Sequence, residues 1–306
     1  DSGIYIGDNA FEYCHFTSIK IPGSVKIIGS MAFQWCYDLE SITLSEGLVT
    51  IGNSAFDMCD SVNSIVIPST VTEIGLSAFS GMDSLESVLV HPNNAVYISQ
   101  GNCIIEKATK TLVVGCKNSI IPSDGSVTSI GKQAFYYCDS LTSIHIPDTV
   151  ESIEERAFDC CTNLSNITFS ANLKTIEKNA FYSTDSLLHV VLPEGLVSLG
   201  EGAFNYCGAI SVEIPRSVTD IGIKAFSSMD ALESITVHPN NPMYFSQGNC
   251  IIERDTKTLI VGCKTSVIPS DGSVTCIGNS AFFRCSSLES IDIPDSVTEI
   301  GMCAFY

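Results

Sequence analysis

Two nearly identical segments combine residue types that often carry chemistry. The first, HPNNAVYISQGNCIIEKATKTLVVGC, occupies residues 91–116, and HPNNPMYFSQGNCIIERDTKTLIVGC occupies residues 238–263. Each contains one His and two Cys, and a thiol activated by a nearby imidazole is a common nucleophile. That chemistry requires a third group that orients the base, yet no acidic residue recurs beside either His-Pro-Asn-Asn. Because Asn and Pro favour turns, we interpret His91 and His238 as turn residues.

The paired cysteines belong to a predicted β-hairpin. The run NCIIEKATKTLVVGC favours two strands joined at Thr109 and Lys110. In this register Cys103 faces Cys116 on a largely apolar face, and the two thiols could form a disulfide or remain reduced. A slip of one residue would place them on opposite faces. The equivalent pair in the second segment is Cys250 and Cys263.

No other residues form a pattern typical of a catalytic, metal or nucleotide site. The chain has fourteen cysteines but no C-x-x-C motif, and no two of its five histidines share metal-ligand spacing. The Asp124-Gly125 and Asp271-Gly272 pairs favour tight turns, because calcium binding needs several converging oxygen ligands. We therefore predict no enzyme activity, no cofactor and no metal.

Composition excludes two classes of partner. The 306 residues include 34 acidic and 15 basic ones, giving a net charge of −19. This excess repels phosphate backbones and anionic lipids, so we expect no nucleic-acid binding. No run of 18 apolar residues occurs, so we expect no membrane insertion.

A repeat of about 23 residues sets the positions of all these residues. An Ala-Phe pair marks each unit, and two units, about 79–135 and 226–282, are enlarged by 33 residues. The enlarged units lie 147 residues apart, so a block of five units is duplicated. The marker residues are Phe11, Phe33, Phe56, Phe79, Phe135, Phe158, Phe181, Phe204, Phe226, Phe282 and Phe305.

One unit contains a predicted strand and a predicted helical turn. In 134-AFYYCDSLTSIHIPDTVESIEERAF-158, Ile144-His145-Ile146 alternates apolar and polar residues and ends at a proline, which is typical of a short strand. Around Phe158, apolar residues recur at helical spacing, which favours a short helical turn. Stacked units bury ladders of equivalent side chains, so we predict an α/β leucine-rich-repeat solenoid with a parallel β-sheet on one face and helical turns or loops on the other.

The cysteines three residues after the marker phenylalanine occupy one repeated slot. Met82, Thr184 and Met229 fill this slot in other units, so it selects a medium-sized buried side chain. Free Cys packs as a small hydrophobe, and we interpret this column as inert core thiols. Its members are Cys14, Cys36, Cys59, Cys138, Cys161, Cys207 and Cys285.

The pattern A-F-x-x-C-x-x-L-x-x-I-x-I-P-x-x-V-x-x-I-G resembles the BspA-type, or Treponema-type, leucine-rich repeat over essentially the whole chain. Members of this family are exported or cell-surface proteins of bacteria and some protists. Characterised members bind host matrix or plasma proteins, or mediate adhesion. The resemblance implies a secreted or surface location and a binding role, and it supplies no catalytic or ligand residues.

We expect residues 1–306 to form a single solenoid that is a fragment of a longer protein. The repeat breaks off in mid-unit at Ala304-Phe305-Tyr306, so we expect neighbouring sequence or end-to-end self-association to cover exposed core.

The predicted binding surface is the strand face, the outward side of the Ile-x-Ile strands. A row of small polar residues, mostly Ser, precedes its variable central column, which the repeat leaves free to differ. We expect a protein or glycan on a host or neighbouring cell to bind here, with the two hairpins as projecting secondary surfaces. The alternative is a structural spacer without its own ligand. The central column is Lys20, Thr43, Val66, Leu89, His145, Thr168, Val191, Glu213, Thr236 and Asp292.

Overall fold

Each repeat forms one coil of a β-solenoid that contains two short strands. The computed structural model describes residues 4–306. Equivalent residues of successive coils pair in parallel at a sequence separation of 23, as Ser129 does with Ser152 and Ser152 with Thr175. The 23-residue period and the parallel pairing predicted from sequence are confirmed.

The strands fall into three groups: front strands with the Ser-Ile-x-Ile pattern, back strands later in each coil, and hairpin strands in the enlarged units. In chain order they are β1 (Ile4–Ile6), β2 (Ser18–Ile21), β3 (Val25–Ile28), β4 (Ser41–Leu44), β5 (Thr50–Ile51), β6 (Ser64–Ile67), β7 (Glu73–Ile74), β8 (Ser87–Val90), β9 (Tyr97–Gln100), β10 (Cys103–Glu106), β11 (Thr111–Val114), β12 (Ser129–Ile130), β13 (Ser143–His145), β14 (Ser152–Ile153), β15 (Asn166–Thr168), β16 (Thr175–Ile176), β17 (Ser198–Leu199), β18 (Ser211–Ile214), β19 (Asp220–Ile221), β20 (Ser234–Val237), β21 (Tyr244–Gln247), β22 (Cys250–Glu253), β23 (Thr258–Val261), β24 (Cys276–Ile277) and β25 (Glu299–Ile300).

The front strands form four parallel pairs: β2 with β4, β6 with β8, β13 with β15, and β18 with β20. Side chains alternate between the core and solvent along each of these strands. In β6, for example, Ile65 and Ile67 are buried whereas Ser64 and Val66 are exposed. The alternation follows from the period-2 geometry of a strand, and it places the central column in solvent.

The back strands form a second set of ladders that the sequence reading missed. They group into sheets of four, eight and five strands, in which the hairpin strands are included. Most back strands are only two residues long, too short for the alternation of apolar and polar residues to show in sequence. In the middle of the solenoid the inward residue, such as Ile153 or Ile176, is fully buried.

The predicted helical turn around the Ala-Phe pair is wrong, because the structure has no helix between residues 4 and 306. Arg156 and Cys160, two residues before and after Phe158, have positive φ angles of 57° and 60°. A right-handed helix cannot contain such residues. The N–H of Ala157 donates within its own coil to the carbonyl of Glu154, whereas the N–H of Phe158 donates to Ala180 in the next coil. The segment is therefore a stack of tight turns that bonds coil to coil.

The marker phenylalanines stack face to face through the core. Ring centroids of neighbours are 4.9 to 5.8 Å apart, close to the spacing of paired strands. Stacks run from Phe11 to Phe79, from Phe135 to Phe226, and from Phe282 to Phe305. They are separated at the enlarged units, where the hairpin enters the core.

The predicted hairpins exist, but their register is different and they do not project. Ile105 pairs with Leu112 and Glu106 with Thr111, so residues 107–110 form the loop, and a bulge separates the Ile105 and Ile104 pairs. The predicted facing of Cys103 and Cys116 is therefore wrong. Strand β10 also pairs with β9, and its residues Cys103–Ile105 are almost completely buried.

The hairpin lies between two hydrophobic clusters, and both of its faces are apolar. Ile104, Val114 and Cys116 pack with the core of the preceding coils. Cys103, Ile105 and Leu112 pack with the core of the following coils. The enlarged unit therefore joins two cores, and its hairpin strands are part of the packed interior.

Candidate functional site: the strand face

All ten residues predicted for the central column are exposed in the structure. Eight lie on front strands and are brought together in register: Lys20 opposite Thr43, Val66 opposite Leu89, His145 opposite Thr168, and Glu213 opposite Thr236. Val191 and Asp292 lie in coils without a front strand, although His189 still forms an isolated bridge to Ser211. The column is therefore one exposed row along the solenoid.

Two members of the column were missed because they lie inside the enlarged units. Ile120 and Val267 each stand two residues before a proline, as His145 does. The endings SIIP at 119–122 and SVIP at 266–269 repeat the end of the Ile-x-Ile strand and could have revealed them. Ile120 is 75% and Val267 68% exposed, so both extend the row.

An apolar cluster, here named patch A, forms where the front strands meet the first enlarged unit. It consists of Val66, Leu89 and Ile120, of which Val66 and Leu89 are 53% and 51% exposed. Leu89 and Ile120 line one open groove of about 290 Å³. The groove is also lined by Val88 and Gly101 and by the polar residues Ser99, Gln100, Asn102 and Asn118.

A second group of exposed apolar residues, here named patch B, lies on two adjacent coils further along the solenoid. It consists of Leu188, Val191 and Ile210, and the side chain of Val191 is 83% exposed, the largest value among the exposed apolar residues of 4–306. The N–H of Ile210 donates to the carbonyl of Leu188 at 3.1 Å, which places these two residues side by side in adjacent coils.

The histidines of the repeated segments hold turns. The N–H of Asn93 donates to Nδ1 of His91 at 3.2 Å, and Asn240 and His238 repeat this contact. The neighbouring Asn94 is 1% exposed, and its side chain makes four hydrogen bonds. Its Nδ2 donates to the carbonyls of Pro68 and Val71, and its Oδ1 accepts from the N–H groups of residues 96 and 97. The segment thus ties the enlarged unit to the preceding coil.

All fourteen cysteines are free thiols, the four hairpin cysteines included. Cys103 and Cys116 belong to different hydrophobic clusters, which follows from the bulged register. Burial raises the pKa of Cys103 and of Cys250 to about 12. Since the thiolate is the reactive form, these residues are poor nucleophiles and poor metal ligands at neutral pH.

The repeated cysteine slot has a donor role that the sequence reading did not include. The thiols of Cys36, Cys59 and Cys161 donate to carbonyls of Phe11, Phe33 and Phe135 in the preceding coil, at 3.0 to 3.2 Å. Where the slot holds Thr184, its hydroxyl donates to the carbonyl of Phe181 at 2.9 Å. The slot therefore accepts a side chain of suitable size, and in these four coils its thiol or hydroxyl also bonds a backbone carbonyl.

The two Asp-Gly pairs form turns, as predicted. Oδ1 of Asp124 accepts from the N–H of Ser126 at 3.0 Å, and Oδ2 accepts from Nε2 of Gln100 at 2.9 Å. These bonds, that of Gln100 first, lower the pKa of Asp124 to about 2. Gly125 has a φ of 88°, in the left-handed region that favours glycine. Within residues 4–306 no group of three or more His, Cys, Asp or Glu residues could hold a metal ion.

The fold and the column define a leucine-rich-repeat solenoid, and the sequence places it in a family. It matches the BspA type leucine rich repeat region, in six copies, over residues 4–125, 106–233 and 260–306. These ranges include most of the chain, so the chain belongs to the BspA-type leucine-rich repeat family. A search among curated proteins gave no match.

Three solved bacterial structures are similar over nearly the whole chain. The pneumococcal vaccine antigen PcpA has a TM-score of 0.66 at 20% identity, with 97% of this chain and 70% of that chain covered. A leucine rich cell surface protein from Faecalibacterium prausnitzii A2-165 gives 0.57 at 26%, covering 95% and 67%. A leucine-rich repeat protein from Bacteroides ovatus gives 0.56 at 23%, covering 97% and 78%. The first and third likenesses show the shared fold.

No helix among the described residues 4–306 has the length and apolar character needed to cross a bilayer.

Proposed function

We propose that this chain is a non-enzymatic, cell-surface or secreted binding module that offers its strand face to a protein or glycan of a host or neighbouring cell. Family membership supports a role in protein interaction. The observation that carries the proposal is the exposed central column with its apolar patches A and B. Clusters of exposed apolar side chains on a soluble surface mark interaction sites more often than single ones do.

The structural spacer is the second candidate, and the two functions differ in the surface they need. A spacer needs only a uniform solvated exterior. The second back sheet carries a uniform row of hydroxyl residues, since the half-buried Thr111, Ser152, Thr175 and Ser198 and the buried Ser129 follow one another in register. The strand face instead varies from coil to coil, with lysine, valine, histidine and glutamate at equivalent positions. Such variation on a constant framework favours recognition.

A pull-down against host matrix and plasma proteins tests the strand face. Changing Thr43, Val66 and Leu89 together to Asp leaves the buried face of each strand intact, and we expect it to abolish capture. Changing Ile27, Leu76 and Ile223 to Asp is the matched control, because these apolar residues are also exposed, by 40 to 55%, but lie off the strand face. Capture that survives the first set of changes would remove the strand face as the binding surface.

A further inference from the structure

The duplicated block provides an internal comparison for both apolar patches. The second-block counterparts of patch A are Glu213, Thr236 and Val267. The first-block counterparts of patch B are Glu40, Thr43 and Asn63. The two blocks share the same coils, strand pairs and phenylalanine stacks, so the fold accepts polar residues at nearly all of these positions. The apolar residues of the patches are therefore not required for folding.

The spacing of the patches suits an extended segment of polypeptide. Two coils, those of His145 and Thr168, separate Ile120 of patch A from Val191 of patch B. Three coil steps at about 4.8 Å give a separation of about 14 Å. An extended chain rises about 3.3 Å per residue, so side chains about four or five residues apart would reach both patches. Binding is favourable when a partner buries its own apolar side chains against the aliphatic patches. A hydroxyl-rich glycan has little apolar surface to bury there.

The charges that flank the front strands favour a basic partner. The carboxylates of Glu40, Glu46 and Asp148 lie just before or after front strands, and none has a basic side chain within ion-pair distance among residues 4–306. Two bases in the coils of the patches are already paired, Lys117 with Glu86 at 3.7 Å and Arg216 with Glu194 at 3.5 Å, and Lys20 is the one lysine of the central column. Together with the net charge of −19, this leaves an acidic surround that attracts cations.

We propose that patches A and B dock an extended, positively charged polypeptide segment whose two apolar side chains are about four or five residues apart. The inference rests on the proposed function, because it assumes that the strand face is the binding surface. It goes further by choosing a polypeptide over a glycan. The patches hold the apolar side chains, and the flanking carboxylates attract the basic ones.

Selection from a phage-displayed library of random peptides, with the whole chain as bait, tests the inference. We expect enriched peptides to be rich in Lys and Arg and to carry two apolar residues at the stated spacing. The variant combining Val66→Thr and Leu89→Thr keeps the charge and uses the residue that the column has at Thr43, Thr168 and Thr236. We expect it to weaken binding of an enriched peptide about tenfold, as loss of about 1.4 kcal/mol would.

Two controls separate the explanations. The first is Leu76→Thr, which alters an exposed leucine off the strand face and should leave peptide affinity unchanged. The second combines Glu213→Val with Thr236→Leu, which should create a second copy of patch A and raise peptide binding. Enrichment of acidic or uniformly polar peptides, or equal affinity for the Val66 and Leu89 variant, would overturn the inference. If a glycan array shows binding that the patch variant loses, the strand face is functional and only the polypeptide partner is wrong. Absence of binding to the peptide library, matrix proteins and glycans would overturn both proposals.

Discussion

At the scale of single residues, the side chains that suggest chemistry are used for construction. His91 accepts a backbone hydrogen bond two residues away, and Asn94 uses its whole amide to tie the enlarged unit to the previous coil. Thiols of the repeated slot donate to carbonyls between coils. Because the same types serve catalysis and packing, only their partners in space distinguish the two uses.

Thiol titration tests this description of the cysteines. Cys303 is exposed and should react quickly with Ellman's reagent in the native protein, whereas the eight buried cysteines should not react. Burial keeps the reagent away from these side chains, and it also raises the pKa of Cys103 and Cys250. In denaturant without reductant all fourteen should react. Cys303→Ser should remove the fast phase, and a denatured count of ten would instead indicate disulfides in both hairpins.

At the scale of elements, the sequence was most informative where its period matched that of the structure. The front strands follow from alternation ending in proline, and the column from the free position within them. The Ala-Phe turns were mistaken for helix because apolar spacing of three and four also suits consecutive tight turns. What decides between them is the left-handed backbone of residues such as Arg156 and Cys160. These are not glycines, and nothing in their side chains reveals that conformation.

The hairpin register could not be read from sequence for a related reason. A bulge shifts the pairing between Ile104 and Ile105, and alternation cannot locate a bulge when both faces of the strand are apolar. Gly115 then enters the core beside the ring of Phe135, where a Cβ would lie well inside van der Waals contact. Glycine is needed here for close approach of the backbone.

Replacing Gly115 with Ala tests the position of the hairpin in the core. The added methyl must displace the Phe135 ring or the hairpin, and overpacking of a core costs about 1–3 kcal/mol. We expect a lower urea midpoint, and Gly262→Ala should act similarly beside Phe282. Gly125→Asn is the control, because that turn has open space and Asn tolerates positive φ. An unchanged midpoint for Gly115→Ala would show that the hairpin does not enter the core.

At the scale of the whole molecule, the enlarged units join what would otherwise be separate stacks. The phenylalanine column is interrupted twice, and the hydrophobic clusters change at the same places. Tyr97 closes the first back sheet, since its hydroxyl accepts the N–H of Ile74 at 3.1 Å. In solenoids, contacts between neighbouring repeats provide most of the stability. The hairpins provide these contacts where the phenylalanine stacks are interrupted.

The acidity of the molecule acts on its stability through carboxyl groups buried beside the turns. Burial raises the pKa of Asp159 to about 6, against the opposing effects of a hydrogen bond with Cys160 and of the Arg156 charge. The pKa of Asp60 is also raised to about 6, first by burial and then by the charges of Asp83 and Asp57. Both values exceed the unfolded pKa of about 3.9, so the folded state binds more protons between about pH 4 and 6. Stability is therefore expected to rise as pH falls from 7.5 to 5.

Asp159→Asn should remove part of this pH dependence. At pH 7.5 the wild-type carboxylate is ionised in the folded core, at a cost on the order of 2 kcal/mol for a shift of about two pKa units. Asn already fits the same turn position at Asn205. We expect the variant to melt about 2 °C or more above wild type at pH 7.5 and close to it at pH 5, measured by calorimetry. Asp255→Asn, which removes an exposed charge from a hairpin loop, is the charge-matched control. If the two variants have the same melting temperature at both pH values, net charge and not the buried carboxyl sets the pH dependence.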